Sequence, residues 1–271
     1  MKIITLMENT SKDTSLISKH GLSIYIETSN HKLLFDLGPD DAYLHNAKNL
    51  GVDLTEVDTV IISHGHSDHG GALSGFFEVN SKAKVYIRSQ AFEPHYTKGL
   101  FFRKFIGLDS ELAGNDRLII TGDTFRIDSE LLIFSDVNGS FDTKSNSALL
   151  KKTANGYIQD DFLHEQNLIV TTENRAVLFS GCSHRGIVNI LRAAQIHQPA
   201  IQAVFGGFHL YNNTKKTTEP QEVVQQLAKE LSAFDVFFYT GHCTGIKAFE
   251  SMHDSMGDKL RYFYTGSIIE L

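Results

Sequence analysis

Short apolar runs rich in β-branched residues recur along the chain, and between them lie stretches whose apolar residues fall at helical spacing. KIITLME (2–8), GLSIYIET (21–28) and HKLLFDLG (31–38) predict strands, the last two joined by a turn at Ser29-Asn30. DDAYLHNAKNLG (40–51) predicts a helix that stops at Gly51, where a positive φ is free of steric cost. VDTVIIS (57–63) predicts a buried strand, the segment from about Asp68 through Val79 a helix, and KVYIRS (84–89) a further strand. The second half repeats the rhythm. LIVTTENRAVLFSG (168–181) predicts a hairpin turning at Glu173-Asn174, RGIVNILRAAQIH (185–197) a helix and IQAVFGG (201–207) a strand. TEPQEVVQQLAKELSAF (218–234) predicts a helix capped by Thr218, with Pro220 near its first turn and Val223, Val224, Leu227 and Leu231 on one face. VFFYTGH (236–242), TGIKAFESMHDSM (244–256), RYFYTG (261–266) and SIIEL (267–271) close the chain as strand, helix and strands. Two similar halves of this kind predict two sheets packed face to face with helices outside. Residues 90–160 are less regular and predict an insertion within a single domain spanning 1–271.

Composition narrows the class. At 271 residues, with four prolines and no low-complexity stretch, the chain shows no linker. No run approaches the roughly 18 apolar residues that would cross a bilayer, which excludes a membrane-spanning protein. The net charge of −7 lacks the clustered cations that track phosphates and argues against nucleic acid as a partner. MKIITLMENTSKD has no apolar core of a secretory signal, and two cysteines, Cys182 and Cys243, cannot staple a scaffold, so a cytoplasmic location is expected.

The strongest chemical signal is Ser63-His64-Gly65-His66-Ser67-Asp68-His69-Gly70-Gly71, directly after a predicted buried strand. Three imidazoles and a carboxylate within six positions suit zinc, iron or manganese. The i, i+2 spacing of His64 and His66 can aim both rings at one centre from an extended segment. Asp68 and His69, on the following turn, face an adjacent centre, and the glycines let the backbone fold tightly.

His64, His66, Asp68 and His69 match the HxHxDH signature of the metallo-β-lactamase-fold hydrolases, and the chain resembles that superfamily along essentially its whole length. LLFDLG with Asp36, GCSH at 181–184, GGFH at 206–209 and GHCTG at 241–245 fall where that fold places active-site loops. These segments are similar to the branch of 7,8-dihydropterin-6-ylmethyl aminobenzene ribofuranosyl phosphate synthase-like proteins. The resemblance implies an α+β protein: a four-layer αββα sandwich of two mixed sheets with helices on both outer faces and a dinuclear metal site at one sheet edge. It implies that His64 and His66 hold the first of two divalent ions, zinc foremost with iron or manganese as alternatives, and that Asp68, His69 and His242 hold the second.

The chain departs from the common pattern where most members carry a bridging aspartate. Cys182 stands there, followed by His184, so His184 is expected to complete the first site. Cys182 is either a thiolate ligand or a small buried residue. His164-Glu165 is the reserve for the third ligand. His209 is expected to contact substrate or donate a proton, Asp36 to orient a ligand histidine, and Cys243 to pack. His20, His31, His45, His95, His197 and His253 have no supporting motif and are expected at the surface or in the core. Within the insertion, Phe101, Phe102, Arg103 and Lys104 either clamp a flat, anionic ligand or form an amphipathic helix packed on the core.

The chemistry expected is metal-dependent hydrolysis, with a metal-bridging hydroxide attacking a small phosphoester, lactone or other ester and Asp68 accepting its proton. The synthase-like resemblance implies an alternative, condensation of a dihydropterin diphosphate with an aminobenzene ribofuranosyl phosphate. A third reading is a metal-containing ligand-binding or signalling protein with incidental hydrolysis. His66 stands where di-iron redox relatives commonly carry glutamate, which disfavours redox chemistry. The expected partner is a small molecule, anionic or pterin-like, and the aromatic insertion could equally serve a homodimer contact.

Overall fold

Strands apolar at every position are buried on both faces, and their alternate residues belong to different cores. Ile3, Leu33, Phe35 and Ile61 face one way, into a core shared with Leu168, Val170, Val177, Phe179 and Phe205. Their neighbours Ile4, Leu34 and Val60 face the opposite way, onto Tyr43, Leu73 and Phe76. Ile169, Leu178 and Val204 likewise turn outward onto Ile190, Leu191, Leu227 and Met252. Three parallel cores between four layers follow, and the computed structural model, which describes residues 1–140 and 143–271, has this arrangement.

The first seven-stranded sheet runs in spatial order Ile268–Glu270, Lys2–Met7, Ser23–Glu27, Lys32–Phe35, Thr59–Ile61, Lys84–Ile87 and Leu118–Ile120. The second runs Leu260–Tyr262, Phe237–Thr240, Ile201–Gly206, Ala176–Phe179, Asn167–Thr171, Leu131–Phe134 and Thr124–Arg126. Both are mixed: Lys32–Phe35 pairs parallel with Thr59–Ile61, and Ala176–Phe179 parallel with Ile201–Gly206, beside antiparallel neighbours. Helices Ala42–Asn49 and Leu73–Val79 cover the first sheet, and Ile187–His197, Gln221–Ser232 and Ile246–Met256 the second. The expected αββα sandwich is the observed one. Among the described residues no helix is long and apolar enough to cross a membrane.

Three local expectations change. The helix expected from Asp68 to Val79 is two pieces, Ser67–Gly70 and Leu73–Val79. They part at Gly71, where a Cβ would stand 2.3 Å from the carbonyl oxygens of both Pro39 and Ser67. Thr218 does not cap the helix Gln221–Ser232; Pro220 occupies the cap position in extended geometry, and Thr218 pairs with Tyr211 in a short hairpin. Glu219 between them is drawn inward instead, accepting from the backbone N–H and hydroxyl of Ser145 at 2.8 and 2.7 Å. The irregular stretch 90–160 is not all set apart from the sandwich: residues 118–120 join the first sheet, and 124–126 and 131–134 the second. His95–Lys98, Arg103–Phe105, Leu149–Thr153 and Gly156–Gln159 form a separate four-stranded sheet. These strands are only three to five residues long, too short to carry a readable period.

The two sheets are also tied at one edge by His31, whose ring meets Asp58 at 3.0 Å and Asp128 at 2.7 Å. Burial opposes the charged ring, but the hydrogen bonds and charges of the two carboxylates outweigh it and raise the pKa above the ordinary histidine value. A raised folded pKa adds stability that is complete below the unfolded value of about 6.5 and lost as pH rises through the folded one. His31→Gln should therefore lower the melting temperature at pH 5.5 and leave it close to wild type at pH 9. An equal deficit at both pH values would refute the coupling.

Candidate metal centre

The loops that leave the carboxyl ends of the central strands meet at one edge of the sandwich. Thr59–Ile61 leads into His64, His66, Asp68 and His69; Ala176–Phe179 into Cys182 and His184; Ile201–Gly206 into His209; and Phe237–Thr240 into His242. Several turn there through positive φ without being glycine: Asp36 (61°), Ser183 (57°), His209 (49°) and His242 (50°). Non-glycine residues pay for that geometry, and its concentration where polar side chains converge is characteristic of functional sites.

One ring nitrogen of His64 and one of His184 is fixed by a hydrogen bond. The Ser63 hydroxyl donates to Asp36 Oδ2 at 2.7 Å, so its oxygen is left to accept from His64 Nδ1 at 2.8 Å. His184 Nδ1 donates to Asn146 Oδ1 at 3.0 Å, whose amide nitrogen in turn donates to the His184 carbonyl at 2.8 Å. With Nδ1 protonated in both rings, the two Nε2 atoms present lone pairs to each other at 3.4 Å. His66 Nε2 is buried beside them without a hydrogen-bond partner. Burial, joined by the neighbouring histidines, holds His64 and His184 well below the usual histidine pKa, and burial does the same for His66, so all three rings are neutral. Nitrogen ligands about 2.0–2.1 Å from a tetrahedral zinc stand roughly 3.3 Å apart, and converging neutral lone pairs call for a cation.

A second group adjoins the first. His69 Nδ1 lies 2.6 Å from Asp36 Oδ2, and His242 Nδ1 lies 2.9 Å from Asn9 Oδ1. The two Nε2 atoms point at each other at 3.1 Å, with Asp68 Oδ2 3.3 Å from His242 and 3.9 Å from His69. Burial resists a charge on His69, yet the carboxylates of Asp36 and Asp68 pull its pKa up to about 9. Its position thus favours a cation, whether proton or metal. Asp68 stays ionised: against its desolvation, His69, His20 and His242 hold it well below the ordinary carboxylate range. Cys182 Sγ sits 3.2 Å from His69 Nε2 and within ligand distance of His64 and His69 together. His64, His66 and His184 form one potential ligand set whose donors fit a divalent cation, and Asp68, His69 and His242 bring a second group of donor atoms within 4 Å of one another.

Residues without a sequence signal complete the surroundings. Glu8, fully buried, accepts from the backbone N–H of His242 at 2.7 Å and from the Tyr262 hydroxyl at 2.8 Å. His20 reaches Asp68 Oδ2 at 3.2 Å and lies against the His242 ring, centroids 4.7 Å apart. The neighbouring Gly21 permits this approach, since a Cβ there would meet the Asp68 carbonyl at 2.6 Å. His95 is buried as well: its Nδ1 meets Asp160 Oδ2 at 2.7 Å, and Asp160 Oδ1 is 3.3 Å from His164 Nε2. His164 Nδ1 accepts from the N–H of Gly65 at 2.9 Å, holding the backbone between His64 and His66. These three residues and His66 lie within 4.8 Å of one another, but their contacts are largely internal and support the HGH turn. Glu165, pushed up to about 7 by burial, accepts from the backbone N–H groups of His184 and Arg185 at 2.6 and 3.0 Å. His164 and Glu165 thus hold the backbone of the two loops that carry His64, His66 and His184. His31, His45, His197 and His253 bond to groups away from the site.

A cavity of about 320 Å³ opens onto this cluster. Asp68, His66, His184 and His242 line it, together with Cys182, Cys243 and His209. Both ring nitrogens of His209 are buried without a hydrogen-bond partner. Of the insertion's aromatic and basic run only Lys104 lines the cavity; Phe101 and Phe102 are exposed, and Arg103 stacks over Tyr157 at 4.7 Å. No helix forms there, because Arg103–Phe105 is a strand.

The Metallo-beta-lactamase superfamily family model matches residues 19–114, so the chain contains a domain of that superfamily, and its fold agrees with the match. It is 28% identical over 292 residues to 7,8-dihydropterin-6-methyl-4-(beta-D-ribofuranosyl)-aminobenzene-5'-phosphate synthase of Methanocaldococcus jannaschii, covering 100% of this chain and 96% of the relative. A crystal structure of a metal-dependent hydrolase of the beta-lactamase superfamily superposes with a TM-score of 0.82 at 27% identity, over 100% of this chain and 99% of that one. The Zn(2+)-bound PqqB of Methylobacterium extorquens shares the fold alone, with a TM-score of 0.60 at 11% identity over the full length of both chains.

Proposed function

We propose that the chain is a metal-dependent hydrolase of small anionic esters, with phosphoesters foremost and lactones as a neighbouring class. The observation that carries this reading is the convergence of neutral ring nitrogens and an ionised carboxylate at the floor of a cavity whose wall holds Lys104. His64, His66 and His184 would hold one divalent cation, and Asp68, His69 and His242 the other, with Cys182 between them; zinc suits this donor set. Such ions supply Lewis-acid polarisation and a water activated at neutral pH. The protein's own groups do the rest. Lys104 orients the substrate anion, and His209, whose ring nitrogens have no other partner, donates a proton to the leaving oxygen. Asp36, Asn146 and Asn9 hold the ligand rings in one tautomer, so that little reorganisation accompanies binding.

Metal analysis of protein purified without chelator should give close to two equivalents per chain, and hydrolysis of a p-nitrophenyl phosphoester and lactone panel should stop on chelation. Hydrolysis that persists unchanged without metal would overturn the reading. The full-length similarity to a synthase favours one alternative, a transferase coupling a dihydropterin diphosphate to an aminobenzene ribofuranosyl phosphate. Coupled product from that pair, with no hydrolysis across the panel, would select it.

A further inference from the structure

The chain has two cysteines, and the fold places both in the same cavity. Cys182 follows the strand Ala176–Phe179, and Cys243 lies in the turn His242–Thr244 after Phe237–Thr240. They are 61 positions apart in sequence, yet Cys243 Sγ lies 3.6 Å from the Cys182 carbonyl. The two sulfurs and a ring nitrogen of His242 lie within 4.8 Å of one another. Gly207 is packed beneath this pair, since a Cβ there would stand 2.3 Å from Cys243 Sγ. Cys182 Sγ also faces His69 Nε2 at 3.2 Å. One sulfur therefore stands between a metal-ligating ring and a second thiol.

We infer that Cys182 and Cys243 form a peroxide-driven disulfide site that competes with metal binding. One thiol attacks the peroxide O–O bond and becomes a sulfenic acid, releasing water; the other displaces the hydroxyl from that sulfur, releasing a second water. Two thiols are oxidised by two electrons in all, and one peroxide is reduced. A disulfide requires about 2.05 Å between sulfurs, so the bridge draws Cys182 from its place beside His69. The bridge itself stands on the proximity of the sulfurs, and its competition with metal rests on the reading of the centre given above.

Full-length protein, metal-free and zinc-loaded, is treated with hydrogen peroxide, alkylated, and studied by intact mass and non-reducing peptide mapping. The expected result is the loss of two hydrogens with a peptide linking Cys182 to Cys243, formed several-fold faster without zinc. Cys182→Ser and Cys243→Ser should each instead gain oxygen on the remaining sulfur. Oxygen added to wild-type sulfurs without a linked peptide, or thiols that survive peroxide sufficient to oxidise the variants, would overturn the bridge. A linked peptide formed at the same rate in demonstrably zinc-loaded protein would overturn the competition alone, leaving both the bridge and the metal centre in place.

Discussion

Asp68→Ala should remove about one metal equivalent per chain and lower turnover on any responsive ester by about a thousandfold or more, the rate equivalent of the several kcal/mol such an ion supplies. The reason is geometric. Asp68 Oδ2 is the carboxylate oxygen that approaches His242, His20 and His69 together, at 3.3, 3.2 and 3.9 Å. Its side chain retains 22% of its exposure because it faces the cavity, so truncation leaves no packed void, and the metal-free protein should lose only the ion-pair contribution of Asp68, less than Asp36→Ala costs. Metal content measured beside kcat separates a lost ligand from a lost fold. A variant with two metals and wild-type turnover would remove Asp68 from the centre.

Asp36→Ala should be costlier to the fold. Its carboxylate is fully buried: Oδ1 accepts from the Ser63 N–H at 2.7 Å, and Oδ2 accepts from the Ser63 hydroxyl at 2.7 Å and holds His69 Nδ1 at 2.6 Å. Truncation strands all three groups in the interior, and breaking a buried charge pair of this kind costs about 3–5 kcal/mol. Against a typical stability of about 5–15 kcal/mol that is a large fraction, visible as a shifted urea midpoint. Metal affinity should also fall about 10–100-fold, because His69 loses the group that fixes its tautomer. Asp36→Asn keeps the shape and one acceptor, so it should recover much of the stability but not the affinity. Competition against a chromogenic chelator reads the second effect independently. An alanine variant that unfolds and binds metal like wild type would show that Asp36 orients nothing.

The difference between these two aspartates marks how far the sequence could be read. Asp68 lies within six positions of three histidines, and a strand-to-helix turn is local geometry, so the spacing alone implied converging donors. Asp36, at a strand end, was expected to orient a ligand histidine, but which one could not be read until the parallel pairing of Lys32–Phe35 with Thr59–Ile61 set it beside Ser63 and His69. Glu8 and Asn9 gave no signal, since the groups they support at His242 are 234 and 233 positions away. His20 and His95 looked like ordinary histidines for the same reason.

Much of the architecture was legible because both sheets are buried on both faces, which makes each strand a continuous apolar run whose length and β-branching need no partner to be recognised. Helix ends were less so. Thr218 has the right chemistry for a cap, but Glu219 is bound to Ser145, and that contact spans 74 positions. The short strands between residues 95 and 134 were missed because three or four residues hold no period, and their pairing is decided by the sheets they join. The sequence by itself determined the layered class, the HxHxDH turn and the donor types available for a metal. Only the tertiary structure decided which donors meet, which tautomer each ring adopts and that both cysteines share one cavity, because those depend on contacts between loops that chain connectivity leaves free.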